Sequence, residues 1–238
     1  MDPVLTRLLD AATRPYAGAG WYASNFARGK LRHDPVFFHL LRHGLLPDKG
    51  RLYDLGCGQG LLFALINAAR QVYRDGFWPS GWLPPPNHVE LHGVELRLDR
   101  VRAARTALGD SATITQGDIR TTAFAGCSAV VILDVLLYMD DGAQRQLLER
   151  IAAALPPGGL LLLREADAAA GAPFYITHWA ERIFGAGRGR LWQKLCYRAT
   201  GEWVALLDEF GFDVGVTPMS EGTPFSNMLF VAKRRAAY

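Results

Sequence analysis

Arg51-Leu52-Tyr53-Asp54-Leu55 is a short, mostly apolar run, and Leu61-Leu62-Phe63-Ala64-Leu65-Ile66, continued by Ala68 and Ala69, is a longer one. Their lengths suit a buried strand and then a helix, which the pattern predicts over 59–73. The same alternation recurs along the chain. Residues 89–95 read as a strand, 98–108 as a helix ended by Gly109, and 112–116 as a third strand. Residues 129–133 form a continuous β-branched apolar run, as a parallel strand buried on both faces requires. Residues 141–155 read as a helix stopped by Pro156-Pro157-Gly158-Gly159, and 160–164 as a fifth strand. A helix over 202–210, with Gly211 as its C-cap, precedes two strands at 212–216 and 228–232. Strand–helix alternation predicts an α/β fold built on a doubly wound parallel sheet. Two closing strands with no helix between them predict an antiparallel finish.

Two stretches break the rhythm. Residues 74–88 hold Pro79, Pro84, Pro85 and Pro86 with Trp78 and Trp82, which excludes a regular helix or a central strand. They are expected as a surface excursion, remote from the chemistry, whose tryptophans pack on the domain or on a partner. Residues 167–200, after the fifth strand, form the second insertion. Residues 1–48 are expected as a helical arm or cap, and 49–238 as the main domain.

Composition narrows this picture a little. Half of the 238 residues are apolar, enough for one α/β domain with a small appendage. Cys57, Cys127 and Cys196 are far apart and odd in number, so neither a disulfide framework nor a metal site is expected. The start Met-Asp-Pro lacks a secretory signature, and no apolar run approaches membrane-spanning length, so a cytoplasmic protein is expected. A net charge of +3 is too small to argue for a nucleic-acid partner.

The chemistry concentrates between the first strand and its helix, in Tyr53-Asp54-Leu55-Gly56-Cys57-Gly58-Gln59-Gly60. A strand that turns at once into a helix needs residues tolerating positive φ, and a ligand over the turn needs no Cβ in its way. The helix start adds free N–H groups and a positive dipole end. The spacing departs from the dinucleotide fingerprint, because the third glycine comes one residue early and Asp54 precedes the first by two. D-x-G-x-G-x-G resembles motif I of the class I S-adenosylmethionine (SAM) methyltransferases. SAM has no pyrophosphate for an acid to repel, and it has an α-amino group that an acid attracts.

Further stretches extend the resemblance over most of 50–235. They are Glu95 ending the second strand, Gln116-Gly117-Asp118 after the third, Asp134 after the fourth, the Leu-Pro-Pro-Gly-Gly turn and the terminal strand pair. The resemblance implies a Rossmann-like seven-stranded sheet of order 3-2-1-4-5-7-6, with strand seven antiparallel and helices on both faces. It implies SAM as cofactor, held by Asp54, Gly56, Cys57, Gly58, Gly60, Glu95, Leu96, Gly117, Asp118, Ile119, Asp134 and Val135. Glu95 would accept the ribose hydroxyls, with Asp99 the competing acid. Asp118 would take the adenine amine, with Ile119 against the ring. Asp134 would hold the SAM ammonium or touch the substrate, and Tyr138 would wall the transfer channel or simply pack. In the arm, Lys30 or Arg28 would meet the methionine carboxylate, or belong to a solvated basic face.

Phe174, Tyr175, His178, Trp179 and Trp192 make the second insertion aromatic-rich. Tyr175, His178 and Trp179 are expected to share a helix face. His178 is the candidate general base by its ordinary pKa near neutrality, against a purely structural histidine. Arg182, Arg188, Arg190, Lys194 and Arg198 would form a basic rim. This set points to a small aromatic acceptor, methylated on oxygen or ring carbon, either free or borne by an acyl carrier protein. Phe26-Ala27-Arg28-Gly29-Lys30-Leu31-Arg32 and Gly222-Thr223-Pro224-Phe225 also resemble methyltransferases of bacterial aryl-polyene and xanthomonadin-like pigment pathways. The rival readings are a SAM-binding regulator without catalysis and a nucleotide-dependent oxidoreductase. The early third glycine and Asp54 count against the second.

Overall fold

A computed structural model describes residues 3–124, 126–186 and 194–236, with the side chains of 181–186 left aside. It contains a seven-stranded sheet of order β3-β2-β1-β4-β5-β7-β6. The strands are β1 Lys49–Leu55, β2 His88–Glu95, β3 Thr113–Gln116, β4 Ala129–Leu133, β5 Leu160–Ala166, β6 Phe212–Pro218 and β7 Asn227–Arg234. β1, β2 and β3 are parallel, and β7 runs antiparallel to both β5 and β6. This is the order and sense that the resemblance implied. The chain divides into two compact units, Met1–Ala129 and Val130–Tyr238.

The first unit begins with three helices, α1 Pro3–Thr13, α2 Trp21–His33 and α3 Pro35–Arg42, with a 3-10 turn at Arg14–Ala19. α3 starts where the sequence dictates a start: the Asp34 carboxylate accepts the Val36 amide at 3.1 Å, and Pro35 takes the first helical position. α4, Leu61–Arg74, packs on α1 and α3. Its first six residues, Leu61 to Ile66, are all buried, so the helix is anchored around its whole circumference at the end nearest the glycine turn. It begins two residues later than the apolar pattern predicts, because Gly60 sits in the left-handed region at φ 76° and serves as N-cap. α5, Leu98–Leu108, packs against the 3-10 turn and β3.

The proline-rich loop between α4 and β2 lies on this unit's own surface. Arg7 covers the Phe77 ring at 3.7 Å, Trp78 donates to the Leu83 carbonyl at 3.0 Å, and Trp78 meets Trp82 and Tyr73 edge-on. Arg70 ties the loop's end to α4 by donating to the Pro86 and Val89 carbonyls.

In the second unit, β4 is buried along its first four residues, as a continuous apolar run demands. α6, Asp141–Ala154, is capped by Asp140, whose carboxylate accepts the Ala143 amide at 2.8 Å. α7, Ala172–Ala186, follows β5, and α8, Thr200–Glu209, packs on β6 and β7. β5 runs two residues past the predicted end at 164 and so includes Glu165, which is buried. No described helix is long and apolar enough to cross a membrane.

Candidate functional site

β1 runs straight into the glycine turn. Gly56, Gly58 and Gly60 carry φ of 84°, 57° and 76°, a region that L side chains rarely enter. The turn hangs from the end of β2. The Gly56 and Cys57 amides both donate to the Val94 carbonyl, at 2.8 and 3.1 Å, and the Gly58 amide donates to the Glu95 carboxylate at 3.0 Å. A Cβ on Gly60 would stand 2.6 Å from Leu108 Cδ1, so this glycine allows close packing. Around a Cβ on Gly58, apart from its chain neighbours, no atom lies within 4 Å. That glycine keeps open space above the turn.

Two acids lie under and beside that space. Asp54 is buried and makes no hydrogen bond among the described residues; burial first, then the charge of Glu95, pushes its carboxyl from 3.8 up to about 7. Glu95 is also buried. Besides Gly58 it accepts the Arg97 amide at 2.8 Å, and Arg100 stands 3.8 Å away. The same burial, with Asp54 and Glu95 nearby, raises the Cys57 thiol well above its ordinary value and keeps it protonated. SAM fits this donor set. Its ammonium would supply the partner Asp54 lacks, its ribose hydroxyls would meet the remaining lone pairs of Glu95, and its body would occupy the space over Gly58.

The outer cofactor candidates have partners that the sequence did not reveal. Asp118 is gripped by Arg120, at 2.5 Å from Nη2, and its carboxyl is held below the usual range by that guanidinium. Ile119 is buried and Leu96 is exposed. The Gly117 amide donates to the Glu95 carbonyl at 3.0 Å, and a Cβ there would stand 2.9 Å from Thr122 Oγ1. In the arm, Lys30 pairs with Asp34 at 2.7 Å and Arg28 with Asp10 at 2.8 Å, so each cation is engaged by an acid of the arm itself. Asp99 pairs with Arg97 at 2.9 Å and does not reach the turn through any described bond.

The second unit has its own charged cluster. Asp134 has φ 58° and is the non-glycine residue of positive φ among the described residues. Its carboxylate takes two bonds from fully buried Arg164, one of them from Nε at 2.9 Å, and its amide donates to the Arg164 carbonyl at 3.0 Å. Glu165 accepts the Val135 and Leu136 amides at 3.1 and 2.7 Å. Burial, then the charge of Asp134, pushes the Glu165 carboxyl up to about 8. The segment 134–136 is thus set by β5, and Tyr138 follows it half-buried.

On α7 the three aromatic positions lie at helical spacing but differ in exposure. His178 is half-buried, with ring centroids 6.0 Å from Phe174 and 5.7 Å from Tyr197, while Tyr175 and Trp179 are 64% and 62% exposed. Of the expected basic rim, Lys194 is exposed, but Arg198 is engaged by Gln144 at 2.7 Å and Asp141 at 3.0 Å. Arg188, Arg190 and Trp192 lie outside the described residues, as does the side chain of Arg182.

Among the residues of these clusters that escaped the sequence reading are Tyr16, Arg100, Arg120, Arg164, Glu165 and Tyr197. Arg164 and Glu165 left a signal, two adjacent charges in a strand that is otherwise leucine and alanine. Tyr16, which donates to the Gln59 carbonyl across 43 residues of chain, left none.

The model of the family described as "Methyltransferase domain" matches residues 27–215. Among curated proteins, carboxy-S-adenosyl-L-methionine synthase of Chromohalobacter salexigens is 33% identical over 119 residues, 48% of this chain and 39% of that protein. The chain spans half or less of the length of such relatives. Magnesium protoporphyrin IX methyltransferase of Synechocystis, solved with bound S-adenosylhomocysteine, superposes with a TM-score of 0.59 at 18% identity, covering 98% of this chain and all of that one. Human N-acetylserotonin methyltransferase in complex with SAM also gives 0.59 at 18% identity, over 99% of this chain and 60% of that one.

Proposed function

The chain belongs to the methyltransferase domain family, and we propose that it is a SAM-dependent methyltransferase whose acceptor is a small aromatic molecule, methylated on oxygen or ring carbon. The observation that carries this reading is the aromatic set of α7 and Tyr197, in which Phe174, His178 and Tyr197 contact one another and Tyr175 and Trp179 remain exposed. Flat apolar walls favour a flat apolar ligand. An acceptor borne on an acyl carrier protein is the finer version, with Lys194 as the described cation for an acidic partner.

SAM supplies an electrophilic methyl on a sulfonium. Asp54 and Glu95 would hold it, Asp54 through its ammonium and Glu95 through its ribose, beside the glycine turn. With that group bound, the chain's own task would be to align the acceptor and to exclude water, with little acid–base work. A phenolic acceptor adds one proton to remove, and His178 is the residue we assign to it.

A second reading, formation of carboxy-SAM, is favoured by the names of the curated relatives. One assay separates the two. The protein is incubated with SAM and hydroxybenzoate-type acids, their carrier-bound thioesters, small amines or RNA, and separately with SAM and a readily decarboxylating acid as carboxyl donor, and the adenosyl product is identified by mass. S-adenosylhomocysteine formed only with the aromatic set is the expected result. Turnover confined to amines or RNA overturns the aromatic acceptor, and carboxylated SAM as the product replaces the first reading with the second. Activity that survives His178→Ala keeps the acceptor and removes the base.

A further inference from the structure

The glycine turn that carries the cofactor site is held from two sides. The end of β2 holds one, through the Val94 carbonyl and the Glu95 carboxylate. The other side is held from the N-terminal arm. Tyr16, in the 3-10 turn after α1, is completely buried, and its hydroxyl donates to the Gln59 carbonyl at 2.8 Å. Gln59 lies between Gly58 and Gly60, both in the left-handed region, and the peptide unit that joins it to Gly60 is held at its amide by the bond from Gly60 to the Cys57 carbonyl at 2.9 Å and at its carbonyl by Tyr16. Its own side chain does not anchor it, because the buried amide oxygen has no partner among the described residues. A turn rich in glycine loses much conformational entropy when it orders around a ligand, and a bond made beforehand removes part of that cost.

We infer that Tyr16 is a positioning residue for SAM, holding the Gln59 carbonyl, and with the bond from Gly60 to Cys57 the whole peptide unit, so that the 56–60 turn is already shaped for the cofactor. This rests on SAM being the ligand of that turn. Burial keeps the phenol protonated far into the alkaline range, so the donor persists at every pH at which the enzyme works. Other contacts hold in place the turn that carries the buried ring. The 3-10 turn packs on α5, where a Cβ on Gly18 would stand 3.5 Å from Thr106 Cγ2, and α1 packs on α4. Removing the hydroxyl therefore leaves the ring buried and frees the carbonyl alone.

The test is calorimetric titration of SAM and S-adenosylhomocysteine into the wild-type chain, Tyr16→Phe and Thr13→Val. Thr13 makes a buried bond of the same arm, from its hydroxyl to the Leu9 carbonyl at 2.8 Å, and does not touch the turn. Tyr16→Phe should weaken both ligands by about three- to tenfold, the loss of one net hydrogen bond. Thr13→Val should lower Tm while leaving Kd unchanged. Unchanged Kd in folded Tyr16→Phe overturns the inference, whatever its Tm. Should that variant not fold, fluorinated tyrosines placed at position 16 keep the shape and alter only donor strength. Kd should then follow the donor, and a flat response overturns the inference as well. No binding to the wild-type chain is a separate outcome, which overturns the cofactor assignment and this inference with it.

Discussion

Asp54 shows how far a single residue can be read from its neighbours in sequence. Its place two residues before the first glycine marked it as a ligand for an amine. Its burial, its lack of a hydrogen bond among the described residues and its shift to about 7 came only from the folded chain. The shift has a measurable sign. An ammonium ligand prefers the carboxylate, which the free protein holds only above about pH 7. SAM should therefore bind more weakly as pH falls below 7, and binding near pH 6.5 should release a proton. Calorimetry in buffers of different ionisation enthalpy measures that release, and Asp54→Asn should abolish it. Binding that is independent of pH and buffer would place the ammonium elsewhere. Asp134 is the opposite case: its position after β4 was legible, whereas its left-handed backbone and its ion pair with Arg164 depend on a partner 30 residues away.

Most element boundaries were legible because caps and breakers are local. Asp140 before α6 and Asp34 before α3 accept amides of their own first turns, which neighbours in sequence can always do. Asp140→Ala should cost about 1 kcal/mol of stability, the usual loss of a helix cap, without changing SAM affinity. Urea unfolding of the two proteins checks it, and equal midpoints would mean that water satisfies the Ala143 amide equally well. The start of α4 was misjudged for a reason that local pattern cannot supply. Gln59 looks helical by sequence, but the ligand turn needs Gly60 at positive φ, and that postpones the first helical residue to Leu61. The exposure of the aromatic positions of α7 was not legible either, because i, i+3 and i+4 neighbours share a side of a helix without determining which of them the rest of the chain covers. Phe174 and Tyr197 take His178, and Tyr175 and Trp179 stay exposed.

For the whole molecule, SAM bound to the native state and not to the unfolded chain should raise Tm by mass action. At a hundredfold excess over Kd the gain is about 2.7 kcal/mol. For a chain of this size that is roughly 5–10 °C, at about 2–4 °C per kcal/mol. A thermal melt with and without SAM checks it, with NAD as the comparison. A rise with NAD and none with SAM would revive the oxidoreductase reading.

The order of strands and helices, the glycine turn and its acid were written in the sequence, because each depends on residues a few positions apart: apolar spacing, caps, breakers and glycines at positive φ. The sheet order reached the sequence only through resemblance, since periodicity does not say which strand lies beside which. Tertiary structure alone decided the partners. Arg120 claims Asp118, Asp34 claims Lys30, Arg164 claims Asp134, and Tyr16 supports the turn from the far end of its unit. A charge or a buried phenol needs a partner within about 3 Å, and the chain brings that partner from any distance in sequence. Pattern therefore identifies which residues need satisfying, and only the folded chain shows what satisfies them.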